Sequence, residues 1–420
     1  MNIRALQQRL INGDWSFLRG SVVVSGGLMV ARALGLAYGL VLAHGLKPEG
    51  YGYVQYGIAL ANIMAIVTIP FGQHVMAKYI ATHIDNKPVV ARYLNIMFIM
   101  QIALFLLTLF VSVPILSVAN RLDIGYIVVF IGISAFYTYY GLARGFMSNE
   151  RLVATFLGSN VIQIVVTIIV YLMIGTTSTL PALLIYGLSY FPMLIGVTLA
   201  WPLPIHFKIE LPTRAEIIAL LKFSAPVWIG QLFYLLFTTL DLLLLEQYAS
   251  QNDVGVYSLA KQLSMIFILN SMGISTVLMP RIARSPREKQ RQMVINAFTG
   301  YAGLSLAVFV PFVLLYNIAA RLVGSAEYAV GPEVYAVVAL GVIMQGAQSI
   351  SEAILMGRGK TAESTFCRFV GVTAAVILGL VLVPSYGMVG AAVAFLAAAT
   401  LAQILFMIMI LRLRGQPVEA

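Results

Sequence analysis

The sequence predicts an all-α integral membrane protein, and two observations lead to this fold class. Hydrophobic residues make up 60% of the 420-residue chain and charged residues only 10%, whereas soluble domains carry about 25% charged residues. The apolar residues also form continuous stretches near the roughly 20 residues that a helix needs to cross the hydrocarbon core. Strands of a membrane barrel are shorter and alternate in polarity, so a barrel is excluded.

Twelve stretches have the length and polarity of a transmembrane helix. They cover about 20–44, 52–74, 93–117, 124–146, 152–174, 181–202, 222–246, 254–280, 293–318, 333–357, 364–384 and 386–411. Prolines within them, such as Pro70 and Pro226, are tolerated in a bundle whose neighbouring groups satisfy the freed backbone. The connections are too short for a soluble catalytic domain, so the bundle is expected to be almost the whole protein.

The distribution of basic residues predicts the topology. Of the 26 Lys and Arg residues, 21 fall on the side that holds both termini and the even-numbered connections, and three fall on the other side. By the positive-inside rule, both termini are cytoplasmic in a multi-pass protein of the cell inner (cytoplasmic) membrane. The net charge of +10 therefore reflects topology and contact with anionic membrane lipids, and nucleic acid is not an expected partner.

The two halves of the chain resemble each other. At an offset of 203 residues, the segment that begins at Gly52 aligns with the one that begins at Gly255, and both end in a Met two residues before a basic residue. At an offset of 209, "YIVVFIG" (126–132) aligns with "YAVVALG" (335–341). Six spans per half place both halves in the same orientation, as in transporters whose parallel repeats rock around a central site. A duplicated scaffold without a pathway is the alternative.

This repeat divides the chain into three parts. Residues 1–203 form an N-terminal six-helix half that begins with an interfacial segment, 204–221 form a cytoplasmic linker, and 222–420 form a C-terminal six-helix half. The predicted architecture is thus two parallel six-helix repeats around a central cavity.

Motifs for catalysis or cofactor binding are absent from the sequence. "GRGKT" (357–361) lacks the first glycine of a phosphate-binding loop, where Ile354 stands, and a membrane helix precedes it instead of a strand. The four His residues show no metal-ligand spacing, and the single cysteine, Cys367, cannot form an internal disulfide. We therefore expect a protein without cofactor or metal, and a transporter rather than an enzyme.

Charged residues inside the spans are the first candidates for a functional site, because such charges are costly in lipid. Arg32 lies near the middle of the first span, and it is predicted either to line an aqueous cavity or to bond to carbonyl groups of a neighbouring helix. Asp241 and Lys261 lie ten residues on either side of a turn near Gln251, hence at equal depth. They are predicted to pair beside the cavity, to pair in a purely structural role, or to remain unpaired and titrate.

Polar and aromatic residues on three other spans extend the candidate site. Gln55 and Asn62 are seven residues apart and share one helix face, where they add hydrogen-bonding groups to the lumen. Tyr137 and Tyr140 precede Arg144 at helical spacing. Aromatic rings beside a cation can stack on sugars, although they can equally form an interfacial belt.

Three segments carry a resemblance to a known family. "ARALGLAYGLVLAHGLKPEGYGYVQY" (31–56), "LDLLLLEQYASQNDVGVYSLAKQL" (240–263) and "LVPSYGMVGAAVAFLAA" (382–398) resemble hairpins of the polysaccharide flippases in the multidrug/oligosaccharidyl-lipid/polysaccharide exporter superfamily. The resemblance implies a V-shaped bundle that carries isoprenoid-diphosphate-linked oligosaccharides to the outer leaflet. It further implies that Arg32 and Lys261 meet the diphosphate.

The expected partners are a lipid-linked oligosaccharide, membrane lipids and proteins of glycan assembly, with the chain acting as a monomer. Two other functions stay open. A cation-coupled multidrug exporter shares the implied architecture but commonly has an acidic residue in its early spans, where this chain has Arg32. A membrane glycan polymerase or ligase needs reactive groups on sizeable outer loops, and the outer loops here are short.

Overall fold

The computed structural model of the protein confirms an all-α chain. It describes residues 15–70, 73–83, 85–118, 123–146, 149–174, 178–192, 195, 213–285, 287–323 and 326–412. Within these residues, every regular element is an α-helix except a single 3-10 turn at Ala326–Tyr328. The interfacial segment predicted before residue 15 lies outside the described residues.

Twelve helices can be given bounds within the described residues, and their labels number helices rather than membrane crossings. They are α1 Trp15–Thr68, α2 Gln73–Thr82, α3 Lys87–Val118, α4 Ile124–Gly145, α5 Asn149–Ile174, α6 Thr179–Leu188, α7 Arg214–Tyr248, α8 Gln251–Ser264, α9 Ile266–Arg284, α10 Arg287–Val323, α11 Pro332–Gly357 and α12 Thr361–Arg412.

Nine stretches of the described residues are long and apolar enough to cross a membrane. Two of them each consist of two helical segments joined at a break. The break is the non-helical residue Lys47 (φ 57°) in α1 and Gly387 (φ 53°) in α12. Both breaks fall close to predicted boundaries between spans. A positive φ suits glycine, and at Lys47 the following Pro48 also disfavours helical backbone. The membrane bundle is confirmed, whereas the count of twelve crossings stays a prediction.

Two helix boundaries differ from the sequence prediction. The span predicted over 52–74 ends at Thr68, and α2 begins anew at Gln73. Pro70 lies in this gap, and proline lacks the backbone N–H that would continue the helix. The span predicted over 254–280 consists of α8 and α9, separated at Met265, whose backbone N–H donates to the Gln262 carbonyl at 3.1 Å. This tighter i to i+3 bond ends α8 without any proline or glycine to signal it.

The division into two halves and a linker stays a prediction, and part of the linker lies outside the described residues. α7 begins at Arg214, inside the segment predicted as linker. A capping box starts this helix, since the Thr213 hydroxyl accepts from the Glu216 N–H and the Glu216 carboxylate accepts from the Thr213 N–H.

The helices of each half pack on one another, and contacts of α1 with α7 and α8 join the two halves. In the N-terminal half α1 packs on α4 and α5, and in the C-terminal half α12 packs on α7 and α11. Between the halves, α1 packs on α8 and α7. One buried cluster spans this interface, with Leu42 and Tyr51 on one side and Leu259 and Tyr328 on the other.

A close contact between the halves is a crossing of α1 and α8 at two glycines. A Cβ atom added to Gly52 would lie 2.3 Å from the Gln251 carbonyl oxygen, and one added to Gly255 would lie 1.8 Å from that of Pro48. Only glycine permits such an approach of two backbones. We call this contact the glycine crossing. Gly52 and Gly255 are the residues that the repeat at offset 203 aligns.

Candidate functional site

The two halves enclose a central cavity of about 530 Å³ beside the glycine crossing. Residues of α1, α4, α5 and α6 line it from the N-terminal half, and residues of α7, α8 and α9 line it from the C-terminal half. A site at the interface of two repeats is where transporters with parallel repeats hold their cargo. The cavity is therefore the candidate functional site.

Arg32 supplies the positive charge of this cavity. It lies on α1 beside Gly35 and Gly39, and all three line the cavity. Arg32 is exposed, and among the described residues no carboxylate lies within 4 Å of its guanidinium. No Asp, Glu or Lys is among the described lining residues. The guanidinium can therefore meet an anion in the cavity without first breaking an internal ion pair.

The two glycines next to Arg32 bring both halves close to α1. A Cβ atom on Gly35 would lie 3.3 Å from the Asn160 amide oxygen of α5, and one on Gly39 would lie 2.8 Å from the Gln262 amide nitrogen of α8. The Gln262 amide also donates to the Gly35 carbonyl at 3.4 Å. This small-residue face of α1 is thus both a packing surface and part of the cavity wall.

Side-chain amides form the polar part of the wall. Asn62 and Asn160 each donate to a carbonyl one turn earlier in their own helix, both at 2.8 Å. Gln163 donates to the Ser189 hydroxyl at 2.9 Å, which holds α5 against α6. These bonds use the amide N–H groups and fix the side chains in place. The amide oxygens then act as oriented acceptors for hydroxyl groups.

Aromatic rings form the other part of the wall. Tyr186 of α6 and Tyr190, two residues beyond the end of that helix, lie edge to face at 5.9 Å, and Tyr190 contacts Phe136 at 5.0 Å. Phe136 in turn contacts Tyr137 at 5.9 Å, and Tyr140 packs edge to face on Phe156 of α5 at 5.6 Å. The rings buttress one another, so they present fixed apolar faces and hydroxyl groups to the cavity.

The structure brings five of the eight predicted site residues to the cavity. Arg32, Gln55, Asn62, Tyr137 and Tyr140 all line it, and their role in substrate binding stays a prediction. The side chain of Arg144, at the end of α4, lies outside the described residues. Asp241 and Lys261 are not among the described residues that line the cavity.

Asp241 and Lys261 instead form a buried ion pair inside the C-terminal half. The Lys261 ammonium lies 2.6 Å from Asp241 Oδ2, and the side chains are 9% and 5% exposed. Lys261 also donates to the Thr238 carbonyl at 2.8 Å, and Tyr257 donates to Asp241 Oδ2 at 2.6 Å. The predicted pairing of Asp241 with Lys261 is present, but neither residue is among the described residues that line the cavity. Because every charge has several partners, the pair fastens α8 to α7.

The reason for this placement is the rotation of α8. Tyr257, Lys261 and Ser264 follow one another at helical spacing, and all three are buried. Gly255 and Gln262 lie on a different face, which meets α1. Lys261 is adjacent to a cavity residue in sequence but points into its own half. The substrate role predicted for Asp241 and Lys261 stays a prediction, and neither residue lines the cavity in the part of the chain that the structure describes.

Several cavity residues escaped the sequence analysis. They are uncharged and come in pairs three or four residues apart in the sequence: Asn160 and Gln163, Tyr186 and Tyr190, Gln231 and Tyr234. Polar pairs at this spacing within an apolar span are a usable signal. It is weaker than a charge, since amides and tyrosines also occur at ordinary helix interfaces.

A second ion pair joins the halves away from the cavity. Arg92 of α3 donates to both carboxylate oxygens of Glu216 at the start of α7, at 2.7 and 3.1 Å. The Arg92 guanidinium, together with the capping bonds from Thr213, lowers the pKa of Glu216 from 4.5 to about 2. The carboxylate is therefore ionised at physiological pH, as the capping role at a helix N-terminus requires.

Comparison with known families identifies the chain. Residues 17–285 match the model of the family described as "Polysaccharide biosynthesis protein", which is more than half of the chain. The chain belongs to this family. Residues 226–382 also match the MatE family model. The family match confirms the resemblance that the sequence segments suggested.

A curated relative of the chain is named as a flippase. The chain is 26% identical over 228 residues to "Probable flippase AglR" of Haloferax volcanii, an alignment that covers 53% of this chain and 48% of the relative. The chain thus matches about half the length of the curated relatives.

Solved structures establish the fold. A multidrug resistance MATE family transporter of the MOP superfamily in an inward-facing conformation has a TM-score of 0.69 at 16% identity, with 94% of this chain and 99% of that one covered. The lipid II flippase MurJ in an inward closed conformation has a TM-score of 0.64 at 14% identity, with 93% and 87% covered. The protein therefore has the two-repeat fold of this superfamily.

Proposed function

We propose that the protein is a flippase that moves an isoprenoid-diphosphate-linked oligosaccharide, or a related polysaccharide precursor, from the cytoplasmic to the outer leaflet by alternating access. The observation that carries this proposal is the central cavity, where Arg32 faces a wall of amides and tyrosines without a carboxylate among its described residues. A guanidinium suits a diphosphate, while amides and aromatic faces suit the hydroxyl groups and ring faces of sugars.

The proposal includes the orientation of the protein. The positive-inside rule supports cytoplasmic termini in the inner membrane, which would put the glycine crossing at the outer side, and we propose that the cavity opens toward the cytoplasm. In this state the headgroup enters from the inner leaflet while its chain stays in lipid. A membrane potential that is negative inside favours outward movement of an anion by about 2.3 kcal/mol per charge per 100 mV.

The remaining parts of the proposal concern partners. The protein acts as a monomer, since the cavity is formed by its own two halves, and enzymes of glycan assembly supply the lipid-linked cargo. No catalytic step is assigned to it. A cation-coupled multidrug exporter is the weaker candidate, because a cationic drug would face Arg32 and no carboxylate among the described cavity residues.

Arg32→Gln in proteoliposomes tests the proposal. Loss of a hydrogen bond to a charged group costs about 1.5–3 kcal/mol, so we expect outward movement of a polyprenyl-diphosphate-linked sugar to fall roughly 10- to 150-fold. The measurement is the fraction of labelled cargo that becomes accessible to a membrane-impermeant glycosidase.

Arg321→Gln is the matched control. Arg321 is an exposed cation in the last turn of α10 and is not among the described cavity residues, so its loss should leave the rate unchanged. Unaltered transport in Arg32→Gln, or extrusion of cationic dyes by the wild-type protein in place of the lipid-linked sugar, would reject the flippase assignment.

A further inference from the structure

A partly buried cation lies behind the cavity wall of the C-terminal half. Arg368 of α12 is 13% exposed, and its Nη2 contacts the Glu352 carboxylate of α11. Its Nη1 donates to the Gly230 carbonyl of α7 at 3.2 Å. Its guanidinium carbon lies 4.9 Å from the centre of the Tyr234 ring, also on α7. One side chain therefore holds one full turn of α7.

That turn of α7 is part of the cavity. Gln231, Tyr234 and Leu235 all line it, whereas Arg368 and Glu352 are not among the described lining residues. Arg368 thus contacts the cavity wall from outside the cavity. The glutamate neutralises its charge, which leaves the guanidinium to act on Tyr234 rather than on an anion in the cavity.

The contact determines what Tyr234 can offer to a cargo. A guanidinium over one ring face is held there by the negative charge of that face. The opposite face, the ring edge and the hydroxyl group remain for the cavity, and within the described residues the Tyr234 hydroxyl has no hydrogen-bond partner.

We propose that Tyr234 is the contact of the C-terminal half for the sugar next to the diphosphate, and that Arg368 is its positioning residue. This inference rests on the proposed flippase function. Arg32 of the N-terminal half and Tyr234 of the C-terminal half both line the cavity, so a headgroup bound to both is contacted by each repeat. The sugar contact then contributes to cargo selection separately from the charge contact.

A double-mutant cycle tests the positioning role. Arg368→Gln should lower transport of a polyprenyl-diphosphate-linked hexose by about 3- to 30-fold, the range of a desolvated cation–π contact. Tyr234→Leu removes the ring itself and should lower it at least as much. Because Arg368 acts through Tyr234, the double variant should transport no more slowly than Tyr234→Leu alone. Effects that multiply in the double variant would overturn the proposal.

Two further variants separate positioning from general stability. Arg368→Lys keeps the charge but loses the planar fork that contacts Gly230 and Glu352 together, so it should restore only part of the activity. Gln348→Leu removes another bond between α11 and α12, from the Gln348 amide to the Ala399 carbonyl at 2.9 Å. Its effect should multiply with that of Tyr234→Leu and should not change cargo selection.

The cargo dependence distinguishes this inference from the proposed function. Transport of a sugar-free polyprenyl diphosphate should depend on Arg32 and be insensitive to Tyr234→Leu and Arg368→Gln. Equal losses for the sugar-free and the sugar-bearing lipid would reject the sugar contact while leaving the flippase intact. If the wild-type protein moves neither lipid, the proposed function itself fails.

Discussion

A methyl group at Gly255 should shift the protein toward the conformation in which the halves separate at the glycine crossing. The Cβ atom of alanine would lie 1.8 Å from the Pro48 carbonyl oxygen and 2.5 Å from its carbonyl carbon, whereas ordinary contact begins at 3.4 Å. Both obstructing atoms belong to the backbone and cannot rotate away. α1 and α8 must therefore move apart by roughly the difference, about 1.6 Å, which breaks the seal between the halves.

The size of the shift follows from the cost of overpacking. Extra atoms in a packed interface cost about 1–3 kcal/mol, and a change of this size alters a two-state equilibrium roughly 5- to 150-fold. The strain is present only while the crossing is closed. Gly255→Ala should thus raise the population of the open crossing without a comparable loss of overall stability.

Spin-label distances between the halves measure this population. Labels at Ser178→Cys, before α6, and Glu333→Cys, in the first turn of α11, occupy exposed positions in different halves. Gly300→Ala is the control, because a Cβ atom there meets nothing within 4 Å. A distance distribution in Gly255→Ala that matches the wild type, in protein with an unchanged unfolding temperature, would refute the reasoning.

Three other changes have defined outcomes. Lys261→Met leaves the Asp241 carboxylate buried without its cation and should lower the free energy of unfolding by about 3–5 kcal/mol, while adding Asp241→Asn should recover part of that loss in the same denaturation assay. Tyr328→Phe removes the hydroxyl that bonds to α1 at 3.0 Å and should favour the open crossing in the distance measurement, with no change expected if that bond is immaterial. The Glu216 pKa is lowered from 4.5 to about 2, so its pairing with Arg92 stabilises the fold above pH 4.5 and is lost as the pH falls toward 2. Glu216→Gln should abolish this part of the acid dependence of the unfolding temperature, and an unaltered acid profile would contradict it.

Much of the fold could be predicted because lipid imposes simple requirements on sequence. Long apolar stretches, basic connections and an internal repeat were enough to predict a membrane bundle in two halves. The ends of helices were harder to place. Pro70 marks the end of α1, yet its ring is also tolerated in membrane helices, and the break at Met265 depends on a local i to i+3 bond that no residue type announces.

Site residues could be predicted from the sequence where they place a costly charge in lipid. They could not be predicted where the rotation of a helix alone decides which side chain reaches the cavity. Arg32 could be named as a candidate because a charge in lipid is costly, although the sequence left both a cavity and the carbonyl groups of a neighbouring helix as its environment. Lys261 and Gln262 are neighbours on α8, and both faces of that helix are buried. One face meets the partner half and the other its own half, so polarity alone could not decide which residue reaches the cavity. For the same reason the sequence did not predict Tyr234 as a cavity residue. Its ring is contacted by Arg368, which is distant in the sequence.

The glycine crossing also bears on how such a chain could arise from a shorter one. Gly52 and Gly255 occupy corresponding positions of the two repeats and lie against each other's helix. Two identical copies of one half, paired about an axis, would set the same glycine against the partner helix twice. Any substitution there would enter the interface on both sides at once. After fusion of the two copies, each glycine could vary alone, and the seal on one side could be tuned independently of the other.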